Sequence, residues 1–292
     1  MNTSKRISCA LHGALQRAEG PGCPPRLAAA VRHAIFPGGA RIRPQLCLAV
    51  AIAHGDDDPA LSDAAAAAIE LLHCASLVHD DLPCFDDAAM RRGVPSVHSA
   101  FGERLAVLGG DALIVLAFQS VALAGGVHPE RLPGLLQVIA QGTGMPMGMA
   151  AGQAWECEPQ VPLRDYQRAK TGALFAAATM GGALAAGAQA EPWRALGERL
   201  GEAYQVADDI RDVAADPVLI GKPVGRDLAL GRPSMAREHG LIGAIERFQT
   251  LVEGAVDAVP NCRGAMQLRA LVRSESERLV PTSLRVELAR AA

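Results

Sequence analysis

The feature that most constrains this chain is its punctuation. Long stretches rich in Ala, Leu, Glu and Arg are separated by short Pro/Gly breaks, and apolar and polar residues almost nowhere alternate. A half-buried strand needs that alternation, whereas a helix needs apolar residues every three to four positions. The pattern predicts helices near 25–36, 42–54, 60–81, 104–125, 130–143, 164–189, 193–214, 234–258 and 263–279, with breaks at 21–25, 36–39, 93–95 and 221–225. No repeat, low-complexity linker or shift of composition divides the chain, so residues 1–292 read as a single all-α domain.

Composition limits the partners. Half of the 292 residues are hydrophobic and 20% are charged, enough for a substantial core. A net charge of -3 and 3% aromatic residues offer neither the electrostatic pull nor the stacking surface that nucleic acid requires. The seven cysteines are scattered and never form a C-x-x-C pair, which predicts reduced thiols and a cytoplasmic location. No signal peptide is expected at the N-terminus. The most membrane-like stretch, 173–190, is mostly Ala and Gly, so it reads as a buried helix rather than a span.

Two acidic clusters carry the chemistry. In the helix near 193–214, Gln205, Asp208, Asp209 and Asp212 share one face. Like charges at that spacing cost an exposed helix roughly 0.2–0.5 kcal/mol per pair. Arg211 is expected to point away, leaving a bound divalent cation or a solvated acidic face as the two readings. The second cluster is HDDLPCFDD, His79 to Asp87. Pro83 should loosen the helix after Asp80 and Asp81, letting the chain fold back and bring Asp86 near Asp80. Ile69, Leu72, His73, Ser76 and Asp80 form one stripe, apolar at depth and polar at its mouth. Two all-oxygen clusters without paired histidines suit Mg²⁺ rather than zinc, with a phosphate ligand completing the shell.

Lysine is rare. Only Lys5, Lys170 and Lys222 occur among 28 basic residues. Lysine is a compact charge that reaches a phosphate oxygen where a planar fork does not fit, which singles out AKTGALF and GKPVG. Chance survival of two surface lysines is the alternative from spacing alone.

At this point the sequence resembles the polyprenyl (isoprenyl) diphosphate synthase family. HDDLPCFDDAAMRRG is similar to its first aspartate-rich motif and YQVADDIRD to its second. FPGGARIRP, ELLHCASLVHDD, GQAWE, AKTGALF and GKPVGRD resemble further family segments, in family order from about residue 36 to 233. The wording is most similar to bacterial geranylgeranyl diphosphate synthases. The resemblance implies a bundle of antiparallel helices around a deep central cavity, a homodimer, and Mg²⁺-dependent condensation of isopentenyl diphosphate with allylic diphosphates. Carried over, Asp80, Asp81 and Asp86 would hold Mg²⁺ from one side and Asp208, Asp209 and Asp212 from the other. Arg91, Lys170 and Lys222 would grip the allylic diphosphate. Thr171 and Gln205 would turn their dipoles toward the allylic cation, and Gly39, Arg43, His73 and Arg92 would bind isopentenyl diphosphate. Ala40 departs from the pattern by replacing a lysine, for which Arg41 or Arg43 would compensate. Ala88 and Ala89 replace acids that often extend the first motif.

Product length is read from Ala75 and Ser76. Ala75 lies five residues before Asp80, about 7.5 Å along a helix, where fifteen-carbon synthases of the family commonly carry an aromatic. Small residues there imply the twenty-carbon product. Asp111, after Gly109-Gly110, reads as a helix N-cap. Gln153 either orients the first-motif carboxylates or caps and packs. The alternatives are a farnesyl diphosphate synthase, a terpene cyclase, which would normally mix Asn/Asp, Ser/Thr and Glu in its second motif, and a silent modulating subunit, which Ala40 keeps open.

Overall fold

The computed structural model describes residues 2–160, 162–214 and 235–280. Along the chain run α1 (Thr3–Ala18), α2 (Pro25–Ile35), α3 (Ile42–Ala53), α4 (Pro59–Asp80), α5 (Val97–Phe101), α6 (Glu103–Leu123), α7 (Leu132–Thr143), α8 (Met149–Ala154) and α9 (Leu163–Gln167). A π turn (Arg168–Gly172) then leads into α10 (Ala173–Ala185), followed by α11 (Arg194–Ala214), α12 (Met235–Asp257) and α13 (Ala265–Leu279). The described strands are β1 (Met90–Arg91) and β2 (Val94–Pro95), a small antiparallel hairpin pairing Met90 with Pro95 and Arg91 with Val94. The architecture is the expected all-α class.

Helices α4 and α10 form the centre. Helix α4 starts where Asp58 accepts a hydrogen bond from the Leu61 amide at 3.1 Å and Pro59 occupies the first turn, a cap that satisfies an otherwise orphaned amide. It packs on α1, α2, α3, α6, α7 and α10. Helix α10 packs on α3, α4, α7 and α11. Every residue from Leu174 to Ala183 is buried, and their small side chains let four neighbours approach. This bears out the buried reading of the Ala/Gly stretch, although the helix stops at Ala185. By length and composition α4 and α6, rather than 173–190, are apolar enough to cross a membrane. Most of the α4 segment is core; α6 is less than half buried.

Three elements differ from expectation. Helix α1 carries no motif, yet it buries Ile7, Leu11, Ala14 and Leu15. Its Arg6 reaches Asp56 and Asp63, each at 2.6 Å, and Ser62 at 2.9 Å. The continuous helix predicted over 164–189 is broken by the π turn. Asp111 sits inside α6 rather than capping it. Gly109-Gly110 is no break: a Cβ on Gly110 would lie 2.0 Å from His79 Nε2, so glycine is what lets α6 close on α4.

Candidate active site

The first acidic cluster folds back as the proline implies. After α4, the amides of Asp86 and Ala88 donate to the carbonyls of Asp80 (2.9 Å) and Asp81 (3.1 Å). This returns Asp86 to the end of the helix. Asp80 and Asp81 are buried. Burial pushes the Asp80 carboxyl up, opposed by Lys170 and by a hydrogen bond from Gln153. Gln153 Nε2 donates to Asp80 Oδ1 at 2.8 Å and to the Ser76 carbonyl at 3.3 Å, the first of its two sequence readings. Asp81 accepts a bidentate pair from Arg91, Nη2 donating to Oδ1 at 2.5 Å and Nε to Oδ2 at 3.2 Å.

Lys170 lies on the π turn, where its Nζ is 4.0 Å from Asp80 Oδ2. It donates to Glu156 Oε1 at 2.5 Å, and the Tyr166 hydroxyl donates to the same oxygen at 2.5 Å. Gly152 permits this: a Cβ there would lie 2.1 Å from the Lys170 amide, so α8 and the π turn touch backbone to backbone. On the next residue, Thr171 Oγ1 donates to Gln205 Oε1 at 3.1 Å, and Gln205 Nε2 donates to Asp209 Oδ1 at 3.2 Å. One π turn therefore contacts both acidic clusters, Asp80 through Lys170 and Asp209 through Thr171 and Gln205. π turns recur at functional sites because the extra residue re-aims side chains that a regular helix would rotate away.

The second cluster requires a correction. Arg211 does not point away: its Nη2 is 3.1 Å from Asp208 Oδ1. At i, i+3 a long guanidinium side chain reaches back over one turn, relieving part of the repulsion attributed to a missing cation. Asp209 is buried. Asp212 is described as backbone in α11 only, and Lys222 lies outside the described residues. Among the described residues no three His, Cys, Asp or Glu side chains converge as a ready metal cage.

Beside the first cluster lies a group of cationic side chains. Gly39 (φ 142°) takes a backbone conformation that favours glycine, and the Arg92 guanidinium lies against it, where a Cβ would be 2.8 Å from Cζ. Arg43 is buried, stacked over Phe175 at 4.4 Å and Tyr204 at 5.6 Å, with no hydrogen-bond partner for Nε. Burial, then Arg43, Arg92 and Arg91, hold His73 well below the usual histidine range. Arg41 adopts the left-handed conformation, φ 48°, and acts electrostatically on the buried Glu70 of α4. Ala75 and Ser76 are buried on α4 above these groups.

Sequence reasoning missed Glu156, Tyr166, Glu70, Phe175 and Tyr204. Two of them carried a readable signal. Tyr166 stands four residues before Lys170, and Glu70 is the sole Asp, Glu, Lys or Arg between Asp63 and Asp80.

Known proteins bear on this arrangement. Residues 24–262 match the family model described as polyprenyl synthetase. The chain is 53% identical over 284 residues to a geranylgeranyl diphosphate synthase of Cereibacter sphaeroides, covering 97% of this chain and 99% of the relative. It is 37% identical over 270 residues to a farnesyl diphosphate synthase of Geobacillus stearothermophilus, covering 87% and 88%. The crystal structure of a Helicobacter pylori geranyltransferase complexed with magnesium and isoprenyl diphosphate superposes with a TM-score of 0.78 at 28% identity, covering 94% of this chain and 98% of that one.

Proposed function

The chain belongs to the polyprenyl synthetase family, and from that premise we propose that it is a trans-prenyltransferase that condenses isopentenyl diphosphate with allylic diphosphates to give geranylgeranyl diphosphate. The observation that carries the reading is the π turn at Arg168–Gly172, whose Lys170 and Thr171 join the two acidic clusters. The twenty-carbon product is supported by the higher identity to the geranylgeranyl synthase than to the farnesyl synthase, and by small Ala75 and Ser76 where a bulky side chain would shorten the cavity.

The donor set fits Mg²⁺. Asp80, Asp81 and Asp86 offer only oxygen, as do Asp208, Asp209 and Asp212. A partial cage is what a cation retaining water and substrate phosphate requires. When bound, the metal neutralises charge on the departing diphosphate. The chain's own groups do the rest. Arg91, Lys170 and Lys222 share the diphosphate load, so Lys170 must exchange its bond to Glu156 for phosphate. Thr171 and Gln205 direct oxygen dipoles at the cationic carbon. Gly39, Arg41, Arg43, His73 and Arg92 seat the second diphosphate. The apolar wall above Ser76 keeps water from the cation, and the departing diphosphate takes the final proton.

We place the enzyme in the cytoplasm, consistent with its free thiols. Its partner is a second copy of itself. Helix α6 turns Val107, Leu108, Val115 and Leu123 outward, each over 40% exposed, with Arg104 and Asp111 exposed among them, and large apolar side chains set in a polar surround are the usual material of a twofold interface.

The test is incubation of the purified chain with radiolabelled isopentenyl diphosphate, Mg²⁺ and, in turn, three allylic starters. A twenty-carbon diphosphate that vanishes with a chelator is expected. A hydrocarbon product would indicate a cyclase, and no product a silent subunit.

A further inference from the structure

Glu70 stands in the apolar middle of α4 with 1% of its surface exposed. A carboxylate at that depth is tolerated only beside compensating charge. Its surroundings supply it: Arg92 Nη2 lies 3.9 Å from Oε1, Arg41 and Arg43 act on it electrostatically, and the Cys74 thiol donates at 3.9 Å. These are the arginines assigned above to isopentenyl diphosphate.

The geometry of this group differs from that of Arg91, which is locked bidentate on Asp81. At 3.9 Å, Arg92 is too far from Glu70 for a hydrogen bond, so charge attraction rather than a shared proton holds the guanidinium there, with Cys74 beside it. Arg43 is braced by Phe175 and Tyr204 and keeps an unpartnered, buried Nε. A buried donor without an acceptor calls for one to arrive. Arg41 and Arg92 both take left-handed backbone conformations, φ 48° and 53°, which side chains other than glycine rarely adopt. Three guanidinium groups gathered without an anion would repel one another.

We propose that Glu70 is a positioning residue for the non-allylic substrate: its buried carboxylate holds Arg92, and with it the neighbouring Arg41 and Arg43, together to receive the diphosphate of isopentenyl diphosphate. The inference rests on the prenyltransferase reading and adds a residue that touches neither substrate.

The experiment is steady-state kinetics of the full-length enzyme, varying isopentenyl diphosphate at saturating farnesyl diphosphate and then the reverse. Glu70→Gln, which keeps shape and removes charge, is expected to raise KM for isopentenyl diphosphate about tenfold, equivalent to about 1.4 kcal/mol, with the allylic KM unchanged. Glu70→Asp, which keeps the charge but withdraws it by one methylene, is expected to raise the same KM only about threefold. An unchanged KM for isopentenyl diphosphate, an equal rise for both substrates, or Glu70→Asp no better than Glu70→Gln overturns the inference. Should Glu70→Gln not fold, the selectivity of Glu70→Asp between the two substrates decides alone. Lack of turnover by the unsubstituted enzyme overturns the prenyltransferase reading instead, so the two failures are told apart.

Discussion

At the scale of single residues, the charges of the candidate site are held in pairs, Asp80 by Gln153 and Lys170, Asp81 by Arg91 and Lys170 by Glu156. Asp80 is buried and accepts from Gln153 while facing Lys170. Asp80→Asn keeps the shape and the Gln153 bond but removes the charge. Its kcat is expected to fall roughly 10²–10³-fold, the range for losing one preorganised electrostatic group, with circular dichroism unchanged; a loss under threefold in single-turnover assays would exclude a direct role. Ala75 tests the geometry of the hydrocarbon wall. Ala75→Tyr is expected to shift the product from twenty to fifteen carbons, read by chromatography of the dephosphorylated alcohols. The same chain length from both proteins would detach Ala75 from product control.

Elements set which of these residues meet. The π turn brings Lys170 and Thr171 to different clusters, and α8 can lie against it because Gly152 has no side chain. Helix α6 shows a second use of glycine: Gly110 lies against His79 of α4, while the outer side exposes Val107, Leu108, Val115 and Leu123. Val115 is 66% exposed. In the proposed dimer Val115→Glu would set like charges across the twofold axis, and it is expected to convert that dimer to a 30.4 kDa monomer in sedimentation. A chain already monomeric before substitution would refute the α6 interface.

Across the whole molecule, ion pairs tie segments distant in sequence. Arg131 donates to both Asp57 oxygens at 2.7 Å, joining the approach to α7 with the loop before α4. The Arg131 hydrogen bond holds the Asp57 carboxyl down at about 2, against its usual 3.8. A depressed folded-state pKa stabilises above the unfolded value and is lost as pH falls through the folded one. Asp57→Asn is therefore expected to lower stability by at most ~1 kcal/mol near neutrality, since Asp57 is half exposed. That deficit should shrink between about pH 4 and pH 2. Urea midpoints of both proteins across that window provide the check, and a gap that widens toward acid would contradict it.

The all-α class, most helix positions and both acidic clusters were legible because they depend on local order: helical periodicity, proline's missing amide and the spacing of aspartates. The fold-back after Pro83 belongs here too, since proline loosens the helix end and the return is closed by amides a few residues away. Contacts between segments were not legible. Glu156 and Tyr166 meet Lys170, and Glu70 meets Arg92, only because α4, α8 and the π turn pack together. Arg211 was misjudged because helical spacing places a backbone but not the end of a long side chain. Sequence fixes which chemistry a chain carries through its local rules. Packing alone decides which charges share a low-dielectric interior, because burial and partnership are properties of pairs distant along the chain.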